Sequence, residues 1–462
     1  MLLSIIKRRL SSPTTEGTSA GMGGAKLGEA THAREVHHPL LEHQRRHSRP
    51  FERILINNNF HLVLGWFFSI ILPVMVIWGW EFWDSIGPEQ WAAIIGCSSA
   101  YLMATVSVQQ LAGLPHVKSY VLVTPCVTLY YFFLLVALQT FAVEYDHLYV
   151  LITYLVGCAS SFIICLAISV FSQKILAIVP FGKAAELYES QGAGWCLLDV
   201  PSLDHVRVNG VVADLQADLS DIWRRFLADC TIHRIPVYSS SKAMEMTCGK
   251  LSLDHLHEEV QHGSLSPHEG YEALKRGMDI LAVLLVIPLV LPLMAMTMAA
   301  IRLDSPGPAI FKQRRMGFCC RQFTVYKFRS MYTGCIGKGF TIDGEDPRVT
   351  RVGRVIRKYR LDELPQLFNV LKGDMSLIGP RPESMELTGW YAKDVPYFHY
   401  RHVVRPGISG WAQVMQGYAA DVDGMIGKLE YDFYYIKNFS FWLDVLIIIR
   451  TLKTLVTGFG SR

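Results

Sequence analysis

The chain has 462 residues, room for two or three domains, and 51% of them are hydrophobic, which excludes a water-soluble enzyme built on one large core. A formal net charge of +4 is too small to make nucleic acid the expected partner; the basic residues sit instead beside apolar segments, where anionic lipid or a diphosphate would meet them. The ten cysteines show no CxxC pair and no zinc-ligand spacing, which fits a reducing cytoplasm, and the vicinal Cys319-Cys320 pair is read as ordinary small side chains.

The start, MLLSIIKRRL, places apolar residues before charge, the reverse of a secretory signal, so the segment is expected to stay. Residues 1–53 are rich in Gly, Ser, Thr, His and charge and read as a disordered cytoplasmic arm, with His37, His38, His43 and His47 solvated. Residues 54–174 hold four apolar segments, near 60–80, 91–111, 120–142 and 148–171, each close to the roughly 20 residues that cross a bilayer. Pro73 predicts a kink in the first. Arg45, Arg46, Arg49 and Arg53 precede that span while Glu81, Asp84 and Glu89 follow it, which puts the N-terminus inside. Four crossings then return the chain to the cytoplasm.

Across 175–255, short apolar runs (ILAIVPFG, WCLLDV, NGVVADL, RIPVYSS) alternate with helical stretches, a rhythm that predicts a small parallel sheet. The first strand runs into PFGKAAELY and not GxGxxG, so a structural module is expected there and not a dinucleotide site. A polar linker, 256–272, leads into the last unit, 273–462. Its apolar segment 277–301 is flanked by Lys275, Arg276 and Arg302, and basic residues at both ends predict a re-entrant helix, broken at Pro288 and Pro292, that returns to the side it entered.

The densest signal is LDELPQLFNVLKGDMSLIGPRP at 361–382. Asp362 and Glu363 are adjacent carboxylates that follow Arg357 and Arg360, and Gly379-Pro380-Arg381-Pro382 fixes a turn that presents one guanidinium. Around it stand SPGPAIFKQRRMG at 305–317, FTVYKFRSM at 323–331, DPRVTRVG at 346–353, VVRPGISGWAQV at 403–414 and YDFYYIKNFSFWLD at 431–444. This ordered set, from about Lys275 onward, resembles the bacterial sugar transferases that are polyprenyl-phosphate hexose-1-phosphate transferases, in their large multi-domain form.

The resemblance implies an α-helical membrane bundle, a small α/β Rossmann-like domain and a membrane-associated, α-rich catalytic domain with a re-entrant helix, in a bacterial inner membrane. It implies transfer of hexose 1-phosphate from a UDP-hexose to undecaprenyl phosphate with release of UMP, opening exopolysaccharide, capsule or O-antigen synthesis. Asp362 is then the nucleophile, and Glu363 binds Mg²⁺, positions the lipid phosphate or holds Asp362; the two carboxylates supply the hard oxygens that Mg²⁺ takes. Arg357 and Arg381 are assigned to phosphate, and Lys327, Arg329 and Arg405 to the diphosphate or nucleotide; Asp346 and Asp374 read as structural. Two positions depart from the family, Leu291 before Pro292 in place of a serine and Cys320 in place of a glycine. The stretch FSFWLDVLIIIRTLKTLV, interrupted by Asp444, Arg450 and Lys453, is expected to lie as an amphipathic helix in the cytoplasmic leaflet. Glucose and galactose are the first hexoses to consider, and a homo-oligomer is left open. The competing readings are a membrane glycosyltransferase that releases UDP and a non-catalytic assembly scaffold.

Overall fold

The computed structural model describes residues 57–82, 86–171, 175–190, 194–203, 206–253, 256, 265–267, 269–335, 346–395, 397–417 and 422–457. The arm over 1–53, with its four histidines and basic flank, and part of the 256–272 linker lie outside the described residues.

Four apolar helices come first: α1 Asn58–Trp78, α2 Pro88–Ala112, α3 Ser119–Thr140 and α4 His147–Phe171. A helix satisfies its own backbone groups, which is what hydrocarbon demands. Inside α1, Phe67–Ile71 forms a π-turn in which the N–H of Leu72 reaches back to the carbonyl of Phe67, and this widened turn accommodates Pro73. Polar side chains face one another between the helices: Ser69 meets Ser160 at 2.9 Å and Ser107 meets the Tyr130 hydroxyl at 2.8 Å. Phe132, Phe133 and Ile163 point outward, exposed, as lipid-facing side chains do.

A four-stranded parallel sheet follows, order β2-β1-β3-β4, from β1 Leu176–Ile178, β2 Trp195–Leu197, β3 Gly210–Ala213 and β4 Val237–Ser239. Its helices are α5 Lys183–Ser190, α6 Asp221–Ile232 and α7 Ser240–Cys248. At the end of β1, where a dinucleotide fold would seat a phosphate, Asp214 puts its own carboxylate: Oδ2 accepts from the N–H of Lys183, the first residue of α5, at 3.0 Å. Gly182 has φ +57, and a Cβ there would lie 2.4 Å from that oxygen. The turn is thus built around an internal anion.

The remaining elements form the unit that carries the 361–382 motif. The long helix α8, Glu269–Asp304, is followed by the antiparallel hairpin β5 Ile310–Met316 and β6 Gln322–Phe328. Then come α9 Arg351–Lys358, a 3₁₀ turn at Leu361–Glu363, α10 Gln366–Lys372, β7 Ser376–Ile378 and α11 Met385–Asp394. A 3₁₀ helix at Phe398–Val403 precedes β8 Gly407–Ser409, which pairs parallel with β7, and α12 Trp411–Met415, α13 Val422–Lys437 and α14 Phe441–Thr457 complete the chain.

The break expected at Pro288 and Pro292 is not an interruption: α8 is helical across both. Prolines four apart remove donors from one face only, and the ladder on the other faces carries the helix through. Val283, before the prolines, packs with Val325, Leu367 and Val370, whereas Met294 and Ile301, after them, pack with Phe328 and Ile356 of the same unit. In α14, Asp444 and Arg450 are contact residues: buried Asp444 takes Lys275 at 2.5 Å, and Arg450 donates to the carbonyl of His116, between α2 and α3, at 3.1 Å.

One side chain fastens α10 to the hairpin. Asn369, fully buried, accepts from the N–H of Tyr326 at 3.1 Å and donates to the carbonyl of Thr324 at 2.7 Å, acting as an extra strand residue on β6. Asn369→Ala leaves both backbone groups unpaired in a dry contact, an expected cost of about 1–3 kcal/mol for each. The check is the thermal unfolding midpoint of the detergent-solubilised chain, which should fall by several degrees; an unchanged midpoint would mean that the clamp contributes nothing.

Candidate active site

The two carboxylates stand on a strained corner. Arg360 has φ +52, a left-handed conformation that costs an L-residue about 1–2 kcal/mol, and it turns the chain sharply from α9 into the 3₁₀ turn. Backbone bonds hold the corner on both sides, from Arg360 N–H to the Arg357 carbonyl at 3.1 Å and from Glu363 N–H to the Arg360 carbonyl at 3.2 Å. Thr350 caps α9 by accepting from the N–H of Gly353 at 2.8 Å.

The corner gives the two acids different surroundings. Glu363 is buried, and its Oε1 takes the Arg381 guanidinium at 2.6 Å, with Lys327 Nζ at 3.7 Å. Burial opposes its ionisation, but Arg381 and Lys327 outweigh that and hold its carboxyl well below the usual range. Asp362 is pushed up to about 6 by burial and by the charge of Glu363, against the pull of Lys327, Arg381 and Arg357. No protein group among the described residues hydrogen-bonds or ion-pairs with the Asp362 carboxylate, so it remains available to a ligand. Lys327 is pushed down to about 8 by burial and by Arg381.

Arg381 is aimed by its own loop. Gly379 and Gly407 bring two backbones together where side chains could not fit: a Cβ on Gly407 would lie 2.1 Å from the Gly379 nitrogen. Behind the loop lies a buried ionic cluster that sequence inspection did not single out. Arg401 donates to the Arg381 carbonyl at 2.9 Å and to Asp432 at 2.7 Å, Lys428 pairs with Glu383, and Arg315 donates to the Pro382 carbonyl. Arg401, Lys428 and Asp432, set amid the aromatic residues of FHYRHV and KLEYDFYYIK, had to find partners, and that was the signal available in the sequence.

Of the other candidates, Arg357 lies within electrostatic reach of Asp362. Arg329 and Arg405 are not brought to the acids. Arg329 donates to the carbonyls of Ser305 and Pro306 at 2.6 and 2.8 Å and to the Ser305 hydroxyl at 2.8 Å, and Arg405 pairs with Glu272 and lies over the Phe318 ring at 4.8 Å. Asp346 grips Arg348 at 2.7 Å, and Asp374 takes Lys372 at 2.9 Å. Cys319 and Cys320 both have positive φ and are exposed at the tip of the β5–β6 hairpin, so the turn forms without the glycine. No group of three or more His, Cys, Asp or Glu among the described residues could hold a metal ion. The adjacent acids do fit Mg²⁺ shared with a phosphorylated ligand, because Asp362 is open and only Oε1 of Glu363 is engaged.

The pattern of the family described as bacterial sugar transferase matches residues 270–458. Over 425 residues, 91% of this chain and 100% of the relative, the chain is 45% identical to the UDP-N-acetylgalactosamine-undecaprenyl-phosphate N-acetylgalactosaminephosphotransferase of Aeromonas hydrophila. It is also 40% identical over 203 residues (43% of this chain, 75% of the relative) to a UDP-glucose:undecaprenyl-phosphate glucose-1-phosphate transferase of Caulobacter vibrioides. A protein of the same name from Escherichia coli is 40% identical over 182 residues, 39% of each chain.

A reaction in which ionised Asp362 attacks beside cationic Lys327 has a bell-shaped pH profile. The carboxylate is formed as pH rises through about 6, and the ammonium is lost as pH rises through about 8. Lys327→Arg should move the alkaline limb upward and leave the acid limb in place; an alkaline limb that does not move would assign it to another group.

Proposed function

We propose the reaction from two premises: the chain belongs to the bacterial sugar transferase family, and its paired acids are electrostatically unlike. It is an undecaprenyl-phosphate sugar phosphotransferase, moving a sugar 1-phosphate from a UDP-sugar to undecaprenyl phosphate. The observation that carries the mechanism is the unpartnered Asp362 carboxylate beside a Glu363 already held by Arg381.

Asp362 Oδ attacks the β-phosphorus of the UDP-sugar, the bond from that phosphorus to the α–β bridging oxygen breaks, and UMP leaves with the electron pair. The sugar phosphate is then an acyl phosphate on Asp362. A phosphate oxygen of undecaprenyl phosphate attacks the same phosphorus, the bond to Asp362 breaks, and undecaprenyl diphosphate-sugar departs. Arg381, Lys327 and Arg357 face the negative charge that gathers on the transferring group. Mg²⁺ held by Asp362 and Glu363 would offset repulsion between carboxylate and diphosphate. The Aeromonas relative, alike along nearly the whole chain, makes N-acetylgalactosamine the donor sugar to test ahead of glucose and galactose.

The reaction belongs at the cytoplasmic face of the inner membrane. The connection between α2 and α3 touches α14 through the His116 carbonyl, and both halves of α8 pack on the catalytic unit, which supports reading α8 as a helix that bends at Pro288 and Pro292 without losing its helical course, re-entrant with Lys275 and Arg302 on one side. In this reading, 54–174 is the anchor, 175–255 a degenerate Rossmann-like module without a dinucleotide, and 273–462 the catalytic domain.

Asp362→Asn keeps the side chain's size and removes the nucleophile, so UMP release and lipid product should both fall by about 10³-fold or more. Incubating the wild type with UDP-sugar and no acceptor should leave a sugar-phosphate adduct on the peptide containing Asp362. Wild-type turnover by the variant would sink the covalent mechanism, and release of UDP in place of UMP would favour the glycosyltransferase reading.

A further inference from the structure

Glu363 occupies more than a ligand position. Its Oε1 takes Nη2 of Arg381 at 2.6 Å and lies 3.7 Å from Lys327 Nζ, two of the three cations that face Asp362. Among the described residues this is the sole hydrogen bond of the Arg381 side chain; Nε and Nη1 have no protein partner, and the side chain is 23% exposed. The main chain of Arg381 is pinned independently by Arg401 at 2.9 Å and by the neighbouring Arg315 contact on Pro382. The guanidinium can therefore change partner while its backbone stays in place. Lys327, Arg357, Arg360 and Arg381 bear on Asp362 and Glu363, and the further carboxylate that acts on Arg381, Glu383, is already paired with Lys428, so the site is short of negative charge.

A carboxylate oxygen and a phosphoryl oxygen satisfy the same guanidinium donors. The geometry points to Glu363 as an internal placeholder: in the empty enzyme it holds Arg381 and Lys327 in the position a phosphoryl oxygen of the bound substrate takes over, and it is released when that oxygen arrives. This rests on the reaction assigned above and adds a step to it, the exchange of one anion for another on Arg381. The released carboxylate then lies beside Asp362 and the incoming phosphate. Before substrate binds, the buried cations are never left unpaired, which would be costly.

The exchange predicts an effect of unusual sign. Binding must displace an internal competitor, so removing that competitor tightens binding even while it stops turnover. The test is calorimetry on the full chain in detergent at fixed ionic strength with EDTA, titrating UDP and, separately, a short polyprenyl monophosphate. Glu363→Gln should bind at least fivefold more tightly than wild type, and Glu363→Asp, one methylene too short to keep the 2.6 Å contact, should also gain. A gain confined to UDP assigns the place to the donor's diphosphate, and a gain confined to the monophosphate assigns it to the acceptor; either supports the exchange. Asp362→Asn removes a charge that Arg381 does not hydrogen-bond, so its gain should be smaller. Equal gains in Asp362→Asn and Glu363→Gln overturn the proposal in favour of general repulsion, and equal or weaker binding by both Glu363 variants overturns it outright. Release of UMP by the wild type is scored separately: if it is present while the gain is absent, only the exchange fails.

Discussion

The first turns of α8 hold three parts of the catalytic unit in register. Lys275 meets Asp444 of α14 at 2.5 Å, where Tyr271 and Tyr435 hydroxyls also donate at 2.6 and 2.8 Å. Arg276 donates to the carbonyls of Val370 and Leu371 at 2.6 and 3.0 Å, capping the end of α10, and Asp279 accepts from Ser376 at 2.6 Å at the start of β7. A buried ion pair is weak evidence of stability, because desolvation offsets its attraction, but it is strict about register: a one-residue slip strands a charge. The helix that enters the apolar phase is therefore the same helix that sets where α10 and β7 lie, and those two elements flank the acids and Arg381.

Adjacency along the chain would make Asp362 and Glu363 near equals. The fold separates them by giving Glu363 direct ion pairs with Arg381 and Lys327 and Asp362 none. Like charges side by side discourage ionisation of both, and Arg381 resolves that conflict in favour of Glu363, leaving Asp362 to carry the raised affinity for a proton. A carboxylate buried beside cations but not bonded to them keeps its lone pairs available, as the attack proposed for Asp362 requires.

Much of this was legible in the residues. Long apolar runs gave the helices α1 to α4, since length against bilayer thickness is a one-dimensional test, one that α8 passes as well. The LDE and GPRP signatures gave the acids and Arg381, because a turn of fixed backbone leaves few directions for a side chain. Less legible was which way a cation points. Lys327 and Arg329 are two apart and read alike, yet β6 ends at Phe328, and beyond it the chain turns so that Arg329 reaches the Ser305–Pro306 loop. Arg401, Lys428 and Asp432 escaped notice because their partners are distant in sequence, and no local pattern announces a pairing made by tertiary packing. The prolines of α8 were read correctly as missing donors, but a missing donor did not end the helix.

The contact at Trp411 bears on how such a protein can be shortened. Its indole donates to the Gly249 carbonyl at 2.9 Å, lies 5.2 Å from the Arg450 guanidinium, and shares one core with Leu111, Leu122 and Leu251 from the membrane bundle and the sheet unit. The amino-terminal half is thus a wall of the catalytic core as well as its mooring. Cutting the chain ahead of α8 would uncover an apolar face and leave the indole's donor without its acceptor, so a minimal catalytic fragment of this protein needs a repainted surface around Trp411, not just a new first residue.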